Sequence, residues 1–300
     1  MKTNSNTRIR QLLLVLAGVV VLVAILLAPK GLSTDQKVEN EDLHAHDESD
    51  HNHAHEHQSN EESSADLDLA SILADMTEDE ATEVRELEAK AQKVADVETK
   101  LSLYDSLIQL SIKNKQPAMV AIFSKQKAEA VSTPTNWILA GDNYFKAFRL
   151  TKNQNKQLAE GAVECYQKAL TLEENNLKAK TALGVVYVEG ASALGMMPMK
   201  GIGLLKEVLN SDPENIDALT NLGYFAIQSG QYDKAIERFK TILQIDPKNA
   251  EAYLYLTDTY LSQNQVEKGI ETLEQYKSLV DDPLVIQQVD DYIKKIKNNN

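Results

Sequence analysis

A single cysteine, Cys165, stands in the 300 residues, so no intrachain disulfide framework can form. Histidine is missing from everything after position 57, because all six lie between His44 and His57. The C-terminal four-fifths of the chain therefore has no imidazole for a Ser-His-Asp or Cys-His arrangement. Phosphate loops are missing too: Gly201 and Gly203 do not extend to G-x-G-x-x-G, since Lys206 takes the sixth place, and no G-x-x-x-x-G-K-[ST] run is present. Basic patches are lacking as well, for the region from Thr77 onward has a net charge of −6, opposite in sign to what neutralising nucleic-acid phosphates requires. Cys165, one residue before Tyr166 in an expected helix, reads as a small buried hydrophobe rather than a reactive thiol. The acid pairs Asp281-Asp282 and Asp290-Asp291 read as solvated surface. These absences leave no constellation with assignable catalytic roles, and the expectation is a non-enzyme with neither a small-molecule substrate nor a nucleic-acid partner.

What is present is unevenly distributed. The formal net charge is −14, yet the first 30 residues carry four bases and no acid, whereas residues 31–76 carry thirteen acids against Lys37 alone. Between these charges, Leu12 to Ala28 reads LLLVLAGVVVLVAILLA. Seventeen apolar residues rise about 25 Å as a helix, close to the thickness of the hydrocarbon layer. A cleavable signal peptide has a shorter apolar run and ends in small residues at A-x-A spacing. Here Leu26 fills the place of the first small residue and Pro29 follows Ala28, so a retained transmembrane helix over 12–28 is expected. Lys2, Arg8 and Arg10 precede it, against Lys30 and Lys37 after it, which favours a short cytoplasmic N-terminus over 1–11 and places the rest of the chain across the membrane.

Residues 29–76 read as a tether. From Gly31 to about Ser71, Asp, Glu, Ser, Asn and His dominate without hydrophobic periodicity, too little apolar area to offset conformational entropy. Some forty such residues reach roughly 35–40 Å. The string HAHDESDHNHAHEH places His44, His46, His51, His53, His55 and His57 at near-alternate positions, with Asp47, Glu48, Asp50 and Glu56 among them. Imidazoles so spaced suit zinc, nickel or copper, weakly, because no rigid fold fixes their geometry. A solvated polar spacer is the alternative reading, and no tightly held cofactor is expected.

From Thr77 the periodicity becomes helical. Thr77 and Glu80 form a capping-box pair, and Leu87, Ala91, Val94, Val97, Leu101, Tyr104, Leu107 and Ile108 continue one apolar stripe to about Lys113. A second helix from Pro117 to Val131 folds back on it, giving an N-terminal helical hairpin over 77–133. Trp137, Gly141 and Tyr144 then open a pattern that returns as Leu183, Gly184 and Tyr187, as Leu222 and Gly223, and as Leu256, Thr257 and Tyr260. Second-helix positions follow as Ala162, Tyr166 and Ala169, then Ala235 and Phe239, then Gly269 and Leu273, with closing motifs Asp212-Pro213-Glu214-Asn215 and Asp246-Pro247-Lys248-Asn249. This pattern resembles the tetratricopeptide-repeat family over about 134–283, with repeats at 134–175, 177–215, 216–249 and 250–283. The resemblance implies an all-α helical-repeat solenoid of about four repeats. N-terminal helices precede it, a capping helix within 284–300 closes it, and the transmembrane helix lies ahead of all. About nine extra residues near 152–159 and five within GASALGMMPMKG are expected as loops. In the second of these, Met196, Met197 and Met199 are core fillers first and an adaptable contact surface second.

The family resemblance also implies a concave groove lined by the first helix of each repeat and occupied by protein or peptide partners. Carried over position by position, the groove comprises Thr135, Ile138, Asp142, Phe145 and Lys146; Lys178, Thr181, Val185, Val188 and Glu189; Asp217, Thr220, Tyr224, Ile227 and Gln228; and Glu251, Leu254, Asp258, Leu261 and Ser262. Phe145 and Tyr224 are the candidate anchors. The set lacks the Lys-and-Asn pattern with which family members clamp a terminal carboxylate, so an apolar segment with some basic character is the expected ligand. The architecture resembles anchored repeat proteins of the bacterial envelope, which implies the inner membrane with the repeats on the periplasmic side. The expected function is a membrane-anchored interaction scaffold or assembly factor. The alternatives are a holdase for unfolded clients and metal buffering or delivery through the tether.

Overall fold

A computed structural model describes residues 69–151 and 155–298, all of them helical or in short connections. The expected N-terminal segment over 1–11, the transmembrane helix over 12–28, most of the tether and all six histidines lie outside the described residues. Among the described residues no helix is long and apolar enough to cross a membrane.

The first helix, α1 (Leu69–Ala74), falls inside the stretch expected to be tether. Leu73 is buried, with Leu69, Ile72 and Met76 packed beside it, so this short apolar run carries enough contact area to fold. α2 (Glu78–Lys93) begins with the capping box read from the sequence: the Thr77 hydroxyl accepts from the Glu80 N–H, and the Thr77 N–H donates to the Glu80 carboxylate. The stripe does not run on unbroken to Lys113. It breaks at 94–96, and α3 (Val97–Lys113) starts afresh because the Asp96 carboxylate accepts from the Thr99 N–H. The region expected to be a hairpin therefore holds three helices, completed by α4 (Pro117–Ala130).

Eight helices follow in pairs: α5 (Pro134–Leu150) with α6 (Lys156–Leu172), α7 (Leu177–Glu189) with α8 (Met199–Ser211), α9 (Ile216–Gln228) with α10 (Tyr232–Ile245), and α11 (Ala250–Ser262) with α12 (Val266–Lys277). α13 (Pro283–Asn298) caps the array. Four helix pairs thus occupy residues 134–277. The extra residues of the first repeat do not form a long loop, for both its helices are 17 residues long where α7 and α9 are 13, so most of the insertion continues the helices. The second insertion does emerge as a connection, between Glu189 and Met199. Met197 is 74% exposed in it and Met199 62%, which corrects the reading of them as core fillers; only Met196 packs partly inward.

Glycine at the pairing positions explains how closely the helices meet. A Cβ on Gly141 would lie 2.6 Å from the Tyr166 ring, and one on Gly223 the same distance from Phe239. Missing side chains thus open slots that aromatic rings of the second helix fill. The α7/α8 pair is closer still: a Cβ on Gly201 would sit 2.2 Å from the Gly184 carbonyl oxygen. Fully buried Phe239 and Ile242 each contribute about 1.5–3 kcal/mol of transfer free energy in the α9–α11 cluster.

Candidate partner-binding face

The first helices of successive pairs touch one another directly, α5 with α7, α7 with α9 and α9 with α11, as well as their own second helices. The crowded side of a curved stack is its inside, so these four helices line the inner face. Each is placed by a local device. Asn176, Asn215 and Asn249 cap α7, α9 and α11 by accepting from the N–H three residues on, and Thr133 does the same for α5. Asn176 and Asn215 are in turn held by Glu173 and Asp212, whose carboxylates accept from their amides. This recurring Asn, with Ala three places later, is a periodic signal alongside the aromatic pattern.

The expected groove residues divide into two groups. Ile138, Phe145, Thr181 and Val185 are buried in the core of the stack rather than presented on its surface. Phe145, expected as an anchor, is 6% exposed. It stacks on Phe148 at 5.9 Å, and the Arg149 guanidinium covers it at 4.1 Å. Arg149 is itself held by both oxygens of Glu189, at 2.8 and 2.6 Å, which keeps the guanidinium over the ring. The long first repeat accounts for this, since α5 is extended far enough to bring Arg149 alongside α7.

Asp142, Lys178, Asp217, Gln228 and Glu251 are exposed, while Tyr224, Asp258 and Leu261 are half-buried. Asp142 accepts from the buried Tyr166 hydroxyl at 2.7 Å, tying the face to the second helix behind it. Burial pushes the Tyr166 phenol far above its ordinary range, with the Asp142 charge adding to the effect. Towards the C-terminal end the Tyr224 and Tyr255 rings lie 6.0 Å apart, and Tyr255 stacks on Phe239 at 5.1 Å. Although Glu251 is exposed as a residue, loss of solvent around its carboxyl raises it above its ordinary value, with Tyr255 opposing the shift. Asp258 is also raised, by loss of solvent alone. Tyr255 and Tyr292 are pushed up to about 12, chiefly by burial.

At the other end α3, α4 and α5 enclose an open notch of about 180 Å³ lined by Ile108, Ile112, Val120 and Leu139, with Asp105, Lys127 and Asn143 at its edges. Ile112 is 54% exposed and Leu139 52%. The sequence reading did not single out these residues, although Ile112 and Leu139 each interrupt a polar face. Cys165 is fully buried and its thiol is pushed up to about 12 by desolvation, an inert environment. Among the described residues no three His, Cys, Asp or Glu side chains are grouped to hold a metal ion.

Tetratricopeptide-repeat sequence models match residues 204–237 and 226–285, which covers α8 to the start of α13. The chain carries tetratricopeptide repeats. Among solved structures it is similar to MamA, residues 41 to the end, from Desulfovibrio magneticus RS-1, at 18% identity over 60% of this chain and 94% of that one, with a TM-score of 0.44. It is also similar to YrrB, described as a tetratricopeptide-repeat protein with an unusual peptide-binding site, at 20% identity over 63% of this chain and 91% of that one, with a TM-score of 0.41. No curated protein matches the chain.

Proposed function

We propose that the protein is a membrane-anchored scaffold that binds partner polypeptides along the inner face of its repeats. The observation that carries this reading is that face itself: four first helices in contact with one another, with the Tyr224 and Tyr255 rings and carboxylates that form no ion pair among the described residues towards α11. A face so built is complementary to an extended or helical segment that is apolar with some basic character. The apolar run over 12–28 supplies the anchor, the acidic stretch after it holds the repeats away from the bilayer, and the flanking charge favours the extracytoplasmic side. Tyr224 and Leu261 replace Phe145 as the apolar contacts, because Phe145 is enclosed.

A photo-crosslinking amino acid placed at Tyr224 in the full chain, and separately at Lys240 on a second helix, tests the assignment in native membranes. One or two discrete adducts from position 224 and none from 240 are expected. A smear of incompletely folded chains from 224 points to a holdase, and equal labelling from both positions refutes the inner face. Alkaline extraction of the same membranes tests the anchor: the full chain stays in the pellet, and a chain lacking 12–28 moves to the supernatant. Release of the full chain would refute the anchor without touching the binding face.

A further inference from the structure

α3 and α4 extend the row by one more pair. α4 packs against both α3 and α5, as each later second helix packs against its own first helix and the next one. The junction is nevertheless incomplete. α5, α7, α9 and α11 each touch the next first helix, whereas no contact of that extent joins α3 to α5. The gap left between them is the notch of about 180 Å³. α4, a second helix, forms its floor, so the notch opens on the side of the first helices, which is the inner face. α3, α4 and α5 each lend it residues spaced along a single helix face, Asp105 to Ile112 on the first and Asn136 to Asn143 on the last, which makes continuous walls about 10 Å long.

Ile108 and Ile112 stand on one wall and Leu139 on the other, with Val120 below. Ile112 and Leu139 each leave more than half of their surface in water, a cost in transfer free energy that lasts until something covers them. The polar groups are already matched to one another. Asp105 and Lys127 form an ion pair, the Asn143 amide donates to the Ser124 hydroxyl at 2.7 Å, and that hydroxyl donates to the Val120 carbonyl at 2.7 Å. The Asn136 amide donates to the Val131 carbonyl at 2.8 Å. The lining therefore holds no charge in want of a counter-charge. A charged occupant would lose its water and gain no partner, whereas an apolar one would cover the isoleucines and the leucine. Size narrows the choice, for an apolar cavity of about 150 Å³ admits a benzene ring, and this space suits one large side chain.

Charge along the face says where the rest of such a ligand lies. Lys146 and Lys178 are exposed on α5 and α7, while Asp217, Glu251 and Asp258 lie on α9 and α11, and none of these forms an ion pair among the described residues. A polypeptide that sets its basic residues against the carboxylates of α9 and α11 lays its other end, free of basic residues, over α5 and the notch.

We propose that the notch between α3, α4 and α5 is a subsite for one large apolar side chain, that of leucine, isoleucine, methionine or phenylalanine, at the non-basic end of the bound polypeptide. The subsite rests on the scaffold reading, since it presumes a polypeptide lying along the inner face. It fixes the direction and register of that polypeptide, because the apolar residue enters between Ile112 and Leu139 and the basic residues follow towards α11.

The test uses the purified full chain in mild detergent on an array of random dodecapeptides. The best binders are remade with each large apolar residue in turn replaced by alanine, and affinities are measured by fluorescence polarisation. The acidic tether attracts basic peptides by itself, but it is unchanged in every variant, so comparison between variants removes its contribution. One apolar residue should dominate, its alanine version binding about tenfold more weakly or worse. Leu139→Lys should weaken the parent peptide to the same degree and cost the alanine version nothing further, while Leu139→Met should stay within about twofold of the parent protein. Leu172→Lys, which alters an exposed apolar residue at the end of α6, should change nothing. Thermal melting confirms that the variants are folded. Equal binding of every alanine version, or undiminished binding by Leu139→Lys, overturns the subsite. So does a parent chain that self-associates in sedimentation and comes apart in Leu139→Lys, because a second copy then fills the notch. If peptide binding is lost in Tyr224→Ala but not in Leu139→Lys, the scaffold face stands without the subsite; if no peptide binds, or binding depends on neither residue, both readings fall.

Discussion

At the scale of single residues, two glycines of α8 show how far the role of a residue depends on what faces it. Gly201 and Gly203 are two positions apart on one helix, and alanine favours a helix interior over glycine by about 1 kcal/mol. A Cβ at Gly203 meets nothing within 4 Å, so Gly203→Ala is expected to stabilise the fold by about 0.5–1 kcal/mol. A Cβ at Gly201 meets the Gly184 backbone oxygen, which cannot turn aside as a flexible side chain can. Gly201→Ala is therefore expected to cost about 2 kcal/mol or more, and urea unfolding of the two variants should displace the midpoint in opposite directions. Asp258 gives a prediction in pH. Burial raises its carboxyl in the folded chain, so the folded state holds that proton more tightly than the unfolded state does. Stability then falls as pH rises from the ordinary carboxylate range, about 4, through the raised value, and the full penalty is present at neutrality. Asp258→Asn removes the penalty; Glu251 and Tyr292 beside it are left as they were. The variant should unfold at a higher urea concentration than the parent at pH 7.5 and at the same concentration near pH 4. A variant less stable than the parent at pH 7.5 would contradict the direction of the shift.

At the scale of elements, the caps decide where helices begin. Asn215 satisfies the Ala218 N–H and is steadied by Asp212, so Asn215→Ala is expected to cost about 1 kcal/mol. Thermal unfolding should show that loss, and Asn215→Asp should recover most of it. Capping also marks what was legible in the sequence. The Thr77 box could be read directly because its acid and hydroxyl stand three residues apart before an apolar stripe. The break at 94–96 could not, because Val94 and Val97 keep the stripe in phase across it, and only the Asp96 cap and the extended Val94 backbone separate α2 from α3. α1 was hidden in polar surroundings, where one buried leucine outweighs the local composition. The repeats were legible because Gly and aromatic positions recur with the packing they serve. The length of α5 and α6 was not, since an insertion can extend two helices as well as it can form a loop. The longer α5 brings Arg149 over Phe145 and covers that ring at the first-repeat end of the expected groove.

At the scale of the whole molecule, the described chain is a row of overlapping cores. One cluster joins α1 to α4, the largest runs from α4 to α9, a third joins α9 to α11, and the last holds α11, α12 and α13 together. Each element contacts its neighbours in the row and little else, so stability is a sum of local terms and not the property of a single core. Ile293 of α13 is 4% exposed within the last cluster, and its truncation to alanine removes about 2–5 kcal/mol of local packing. In a fold with one core, that loss would appear at every amide that exchanges by global unfolding. In a row of clusters it should appear where the cluster lies and fade with distance along the stack. Hydrogen exchange of Ile293→Ala in the full chain is therefore expected to speed up across α11, α12 and α13, by less across α9 and α10, and not at all across α3 to α6. The notch between α3 and α5 lies at the far end of the row and should stay intact in the same variant. Uniform acceleration across all thirteen described helices would show instead that the array unfolds as one unit, and that its two ends cannot be tuned separately.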